Sequence, residues 1–284
     1  MSRCSDHTAK VGGVSVFWRS APAPHAQGVS GDGDLAPRAV NLYLHGVPSS
    51  SVEWLAFLER GGGVAVDLPG FGRSGKPAWL AYTISEYEVF IERFLAEIEA
   101  ERVNLVVHDW GAVGLAFAQR HPERVGRLVI INSVPLLPGY RWHRIARLWR
   151  TPRVGELAMR ATGRPVLRLL TRESNVTPGP MPEQWLASVY EHLDEGTRRA
   201  ILRLYRSSPP AALEAAGARL GQLRMPALVA WGMRDPYIPA RFGREYAQAL
   251  GGGAELLELA DAGHWPWLDR PELIDRVVDF LSAA

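Results

Sequence analysis

Cysteine is nearly missing from this chain: Cys4 is the single one in 284 residues. No intramolecular disulfide is possible, and the composition suits a reducing compartment. Lysine is scarce too, with Lys10 and Lys76 the only two; the arginine used in its place reads as genome composition. Neither sign of charge dominates, since 32 basic and 30 acidic residues leave a formal net charge of +2. That balance gives no reason to expect nucleic acid or a membrane surface as a partner. No stretch approaches the roughly 18–20 apolar residues of a membrane span, and residues 1–10 lack the apolar run of a secretory signal. A cytoplasmic protein is the expectation. Internal repeats at periods of about 20–50 residues are lacking as well.

The hydrophobic fraction of 47% is ample for a large buried core, and a charged fraction of 22% excludes a disordered chain. Six short apolar runs, each ending in a turn signal, read as buried parallel strands. They are 39–44 before His45-Gly46, 64–66 before Asp67-Leu68-Pro69-Gly70, 105–107 before His108-Asp109, 128–131 before Asn132-Ser133, 227–230 before Trp231-Gly232, and 256–259 before Asp261-Ala262-Gly263-His264. Ahead of them, 14–18 reads as a strand of an antiparallel pair. Helices fall between the runs. Thr83-Ile84-Ser85-Glu86 is a capping box opening a helical stretch to Ala100. Residues 111–120 continue from the third run, and 271–281 close the chain. Such alternation implies an α/β protein with a mostly parallel, doubly wound sheet.

One region breaks the alternation. From 138 to 221 there is no strand pattern; Trp142, Ile145, Ala146 and Trp149 instead recur at helical spacing, with arginines offset from them. Pro178-Gly179-Pro180 interrupts the region near its middle. An all-helical insert between two strands of an open sheet can cover the strands' C-terminal ends, where ligands bind in such sheets. The expected organisation is a core of residues 1–137 and 222–284, with 138–221 as a helical cap.

Three strand ends carry chemistry-bearing side chains. The segment 105–112, Leu-Val-Val-His-Asp-Trp-Gly-Ala, is a strand, a sharp turn and a helix start. In the Gly-x-Ser-x-Gly elbow that geometry exposes a serine beside an oxyanion hole; here Asp109 holds the position. A carboxylate there also sits at a helix N-terminus, which favours its ionised form. Read alone, Asp109 serves equally well as a helix cap. Asp235 follows the fifth run and His264 the sixth. The chain order of nucleophile, acid, histidine at successive strand ends makes a coincidence improbable.

With these motifs in view, the chain resembles the α/β-hydrolase superfamily, in particular its epoxide hydrolase and haloalkane dehalogenase branch. The matching residues are His45-Gly46-Val47-Pro48, Asp67 through Ser74, Val107-His108-Asp109-Trp110-Gly111, Asp235 and His264. The resemblance implies an α/β-hydrolase fold with the cap inserted after the sixth strand. It also implies Asp109 as nucleophile, His264 as base for the hydrolytic water, and Asp235 as its support. Trp110, Val47 and His45 are the expected oxyanion and substrate-binding group. No metal and no organic cofactor is called for. A carboxylate suits this branch because attack on an sp³ carbon yields an alkyl ester that water can cleave, whereas a serine would yield an inert ether.

A small apolar epoxide or halogenated compound, with water, is the expected substrate. Epoxide opening needs a proton donor, and Leu204-Tyr205-Arg206 resembles the Tyr-Arg pair that carries one. Tyr140 is the first candidate for a second donor, with Tyr190 and His143 behind it. A halide instead needs N–H donors. Trp110 could supply one and Trp142, Trp149 or Trp185 another, although Trp142 and Trp149 also fit packing roles. Epoxide hydrolysis is the leading expectation and dehalogenation the alternative. A non-catalytic small-molecule receptor is the reading from another class. Nothing in the sequence specifies an oligomeric state.

Overall fold

Seven consecutive buried residues, Val103–Asp109, form the strand that ends at the elbow. The structure, a computed structural model, describes residues 4–23, 39–176 and 181–283. Its single eight-stranded sheet comprises β1 (Ser5–Val11), β2 (Val14–Ala21), β3 (Val40–Leu44), β4 (Gly63–Val66), β5 (Val103–Asp109), β6 (Val125–Ser133), β7 (Ala227–Gly232) and β8 (Glu255–Leu259). The order across the sheet is β1-β2-β4-β3-β5-β6-β7-β8. β1, β2 and β4 pair antiparallel, and β3 to β8 run parallel. This is the α/β-hydrolase fold.

Alternate residues of the inner strands enter two separate apolar clusters. Leu42, Leu44, Leu105 and Val107 pack on one face, and Tyr43, Val106, Val129 and Ala230 on the other. Both faces are covered, which is why the strands read as continuous apolar runs. Thr83 does form the capping box, accepting from the Glu86 N–H while the Glu86 carboxylate accepts from the Thr83 N–H, at the start of Ile84–Glu97. After Asp109 the chain makes a short 3₁₀ turn, Trp110–Ala112, before the α-helix Val113–Arg120.

Between β6 and β7 the described residues hold six α-helices, Arg144–Arg150, Val154–Ala161, Arg164–Leu170, Glu183–His192, Glu195–Ser207 and Pro210–Ala216. The Pro178-Gly179-Pro180 interruption lies outside the described residues. The first of these helices starts later than its apolar stripe suggests: His143 is its N-cap, so Trp142 precedes it and packs independently. Among the described residues no helix is long and apolar enough to cross a membrane.

Candidate active site

Asp109 closes β5 with φ 47° and ψ −118°, a backbone conformation that L-residues rarely adopt. Strain of this kind persists only where the surroundings over-determine it. Two glycines make the turn possible. A Cβ on Gly111 would lie 2.1 Å from the Leu44 carbonyl oxygen, and one on Gly46 would lie 2.5 Å from the Asp109 Cβ. Both positions must be bare for the elbow to press against the end of β3.

The buried Asp109 carboxylate accepts the Val47 N–H at Oδ1, 2.8 Å away, and the Trp110 backbone also favours its charged form. Burial nevertheless outweighs these contacts and the nearby histidines, and pushes its pKa up. His264 Nε2 lies 3.6 Å from Asp109 Oδ2, and its Nδ1 lies 2.7 Å from Asp235 Oδ2. Burial would depress the His264 pKa, but the Asp235 charge overrides it and holds it raised. Asp235 is desolvated too, yet the His264 charge and its hydrogen bonds keep its carboxyl below the ordinary value.

Asn132, at the end of β6, carries no signal in the sequence beyond a turn-forming residue. With φ 34° its amide donates to Asp235 Oδ2 at 2.8 Å and to the Gly232 carbonyl, and it accepts from the Gly232 N–H. It locks the acid to its own strand end. Asp235 Oδ1 in turn accepts the N–H groups of Tyr237 and Ile238. Asp109, Asp235 and His264 thus converge from three separate strand ends, with Val47 supplying an N–H from a fourth.

Above them a cavity is lined by Asp109, His264 and Val47 and roofed by Ile145, Trp149, Met159 and Leu167. Its walls are mainly apolar. Tyr205 faces this cavity and packs against Trp110, Trp142 and Trp149. Burial, and then the Asp109 charge, raises its hydroxyl pKa well above 10, so it keeps its proton. Tyr140 does not line the cavity. It is wedged edge-on against Trp142 and Phe242, and its hydroxyl is buried without a hydrogen-bond partner among the described residues. Tyr190 is 44% exposed on the surface.

His45 is also placed otherwise than expected. It is fully buried off the cavity, its Nδ1–H donating to the Gly46 carbonyl and its Nε2 accepting the Leu68 N–H, so it ties loops together. Two polar cavity residues had little or no signal in the sequence. Tyr237 sits edge-on to His264, with its hydroxyl 3.0 Å from Ser174 Oγ. His143, weighed only behind Tyr140, lines the cavity with its pKa lowered to about 4, chiefly by burial.

The indole donors sort themselves by partner. Trp142 donates to the Ser208 carbonyl and Trp185 to Ser49 Oγ, so both are committed elsewhere. The buried Trp110 indole stands edge-on to Tyr205 and favours the charged form of its hydroxyl, outside the cavity lining, whereas Trp149 lines the cavity. Phe71, Leu136 and Trp267 pack in the core, away from the cavity.

The profile of the alpha/beta hydrolase family matches residues 42–277. A haloalkane dehalogenase of Mycolicibacterium paratuberculosis is 29% identical, over 85% of this chain and 83% of its own. Epoxide hydrolase 2 of Caenorhabditis elegans is 24% identical, over 86% of this chain and 72% of its own. Among solved structures, haloalkane dehalogenase DbeA of Bradyrhizobium elkani superposes with a TM-score of 0.79 at 25% identity, over 98% of each chain.

Proposed function

This chain belongs to the alpha/beta hydrolase family, in the branch of the haloalkane dehalogenases and epoxide hydrolases, and from that premise we propose that it hydrolyses an epoxide to a vicinal diol through a covalent ester on Asp109. The observation that carries this reading is Tyr205, a protonated phenol facing the same cavity as the Asp109 carboxylate.

In the first step the free oxygen of Asp109 attacks an epoxide carbon, and the departing alkoxide takes a proton from Tyr205. The oxygen already held by the Val47 N–H becomes the ester carbonyl. In the second step His264 takes a proton from water as its oxygen attacks that carbonyl carbon. The oxyanion of the tetrahedral adduct forms where the Val47 and Trp110 backbone donors stand, a contact worth about 10²–10³ in rate. The adduct collapses with cleavage of the ester C–O bond, and the departing diol oxygen takes the carboxyl proton to restore the Asp109 carboxylate. The imidazolium, stabilised by Asp235, returns its proton to the Tyr205 phenolate. Residues 138–221 act as the cap, which brings Tyr205 over the nucleophile and shields the ester from bulk water. Tyr237 takes the place given to Tyr140 as the second hydroxyl near the reacting centre, because Tyr237 lines the cavity and Tyr140 does not.

A second reading, displacement of halide by the same three residues, rests on the Trp110 indole N–H directly after the nucleophile and on the dehalogenase relatives. Assaying diol formation from styrene oxide beside halide release from 1,2-dibromoethane separates the two. Diol without halide is the expected result; halide without diol would transfer the leaving-group role to Trp110.

Tyr205→Phe is expected to slow epoxide opening by about 10²-fold or more, the usual contribution of a general acid. Hydrolysis of an activated ester, which needs no such proton, should change only a few-fold. Equal losses on both substrates would take Tyr205 out of the ring-opening step.

A further inference from the structure

One residue before the nucleophile, His108 is fully buried between two oxygen acceptors. Its Nδ1 lies 3.2 Å from Glu53 Oε1, and its Nε2 lies 2.9 Å from the backbone carbonyl of His264. A carbonyl oxygen only accepts, so Nε2 carries a proton. Glu53 is equally buried, and its carboxylate collects donors on both oxygens: the Gly46 N–H at Oε1, 3.1 Å, and the Trp265 indole N–H at Oε2, 3.4 Å. Ser49 adds a further hydrogen bond, and itself receives the Trp185 indole N–H from the helix Glu183–His192. A carboxylic acid proton on Oε1 would leave that oxygen a poorer acceptor for the Gly46 N–H than a charged carboxylate is. The charged carboxylate satisfies every contact, and Nδ1 then carries the second proton.

We propose that Glu53 and His108 form a buried carboxylate–imidazolium pair that positions the catalytic loops and places a fixed positive charge beside Asp109. The pair joins three loops at once: Gly46, whose next peptide N–H holds the Asp109 carboxylate; His108, which leads into the elbow; and the His264 loop, through its carbonyl and Trp265. The inference rests on Asp109 being the nucleophile only for its catalytic consequence. The ionisable groups around the pair are Asp109 on β5, His264 with Asp235 behind it, and His45 on the β3 loop. Trp54, Trp265 and Trp267 wall His108 off from water, which keeps the local field strong. Burial raises the Glu53 carboxyl, but His108 first, and then its other contacts, hold it below the ordinary value. The His108 charge likewise opposes the desolvation of Asp109.

The test reads the histidine directly. In a ¹⁵N–¹H multiple-bond correlation spectrum, His108, assigned by its absence in the double variant Glu53→Gln/His108→Gln, is expected to show both ring nitrogens protonated at pH 7. Glu53→Gln should convert it to a single-proton tautomer. A single-proton pattern in the parent protein overturns the proposal whatever Asp109 does, so this result is independent of the nucleophile assignment. Removing one partner of a buried pair can unfold a protein, whereas removing both charges leaves none uncompensated. The double variant Glu53→Gln/His108→Gln therefore carries the kinetic arm. Its kcat/KM is expected to lose activity on the acid side about one pH unit higher than the parent, because Asp109 has lost its neighbouring cation. A fall in rate with an unmoved acid limb would mark the pair as structural packing alone and overturn its electrostatic role.

Discussion

Asp109→Ala is expected to lower turnover by at least about four orders of magnitude, the scale on which removal of a covalent nucleophile acts. Among the described residues no other carboxylate is placed to replace it. Asp235 is fully engaged by His264, Asn132 and two backbone N–H groups, and Glu53 lies beneath the triad, bonded on both oxygens. The substitution has a second consequence, read in the thermal midpoint. Burial raises the folded-state pKa of Asp109, so the group costs no stability below the unfolded-state pKa. The cost grows as pH rises through the interval between the two values and is complete above the folded-state pKa. Asp109→Asn, which keeps the shape without the charge, should therefore melt no lower than the parent at neutral pH while remaining inactive. Substantial activity in either variant would end the carboxylate mechanism.

His264→Gln should separate the two chemical steps. The first needs only the Asp109 carboxylate and a donor for the leaving group, so the variant should still be alkylated. The second needs a base for water, and removing one costs about 10²–10⁴-fold. With a 3.6 Å separation between His264 Nε2 and Asp109 Oδ2, the imidazole is close enough to direct a water at the ester without itself forming a tight bond to the nucleophile. Incubation with substrate followed by mass spectrometry is expected to show a stoichiometric adduct on the peptide containing Asp109. An unmodified peptide under conditions where the parent turns over would remove the covalent route. Reversible binding with no adduct and no turnover in the parent would instead describe a receptor.

Elements whose meaning is local could be read directly. The capping box at Thr83 and Glu86 needs only residues three apart. β5 announces itself because a strand covered on both faces must be apolar throughout, and its elbow because that strand runs through Asp109-Trp110-Gly111 straight into a helix start. That position 111 fits under the Leu44 carbonyl only as glycine is a tertiary fact. Asp235 and His264 were legible because each follows a strand run at a turn, in the order the resemblance implied. The readings that changed depended on partners far away in the chain. The sequence points to Tyr140 as a hydroxyl donor and not to Tyr237, yet Tyr140 is wedged against Phe242 and Tyr237 borders the cavity. Trp142 sits at helical spacing with Trp149, but its indole N–H is taken by Ser208, 66 residues later. His45 belongs to a loop motif suggestive of substrate contact, and only the position of Leu68 shows that its ring is committed to the backbone.

By itself the sequence determined the fold class, the elbow and the three residues that meet at it. Strand alternation, turn chemistry and residue order are short-range properties carried by neighbouring side chains. The tertiary structure alone decided which hydroxyls and indoles face the cavity, that Asn132 holds Asp235, and that Glu53 and His108 meet under the nucleophile. Those contacts join residues 55 to 212 positions apart. Whether a buried polar group is a donor, a charge or a tie depends on what the rest of the chain places against it.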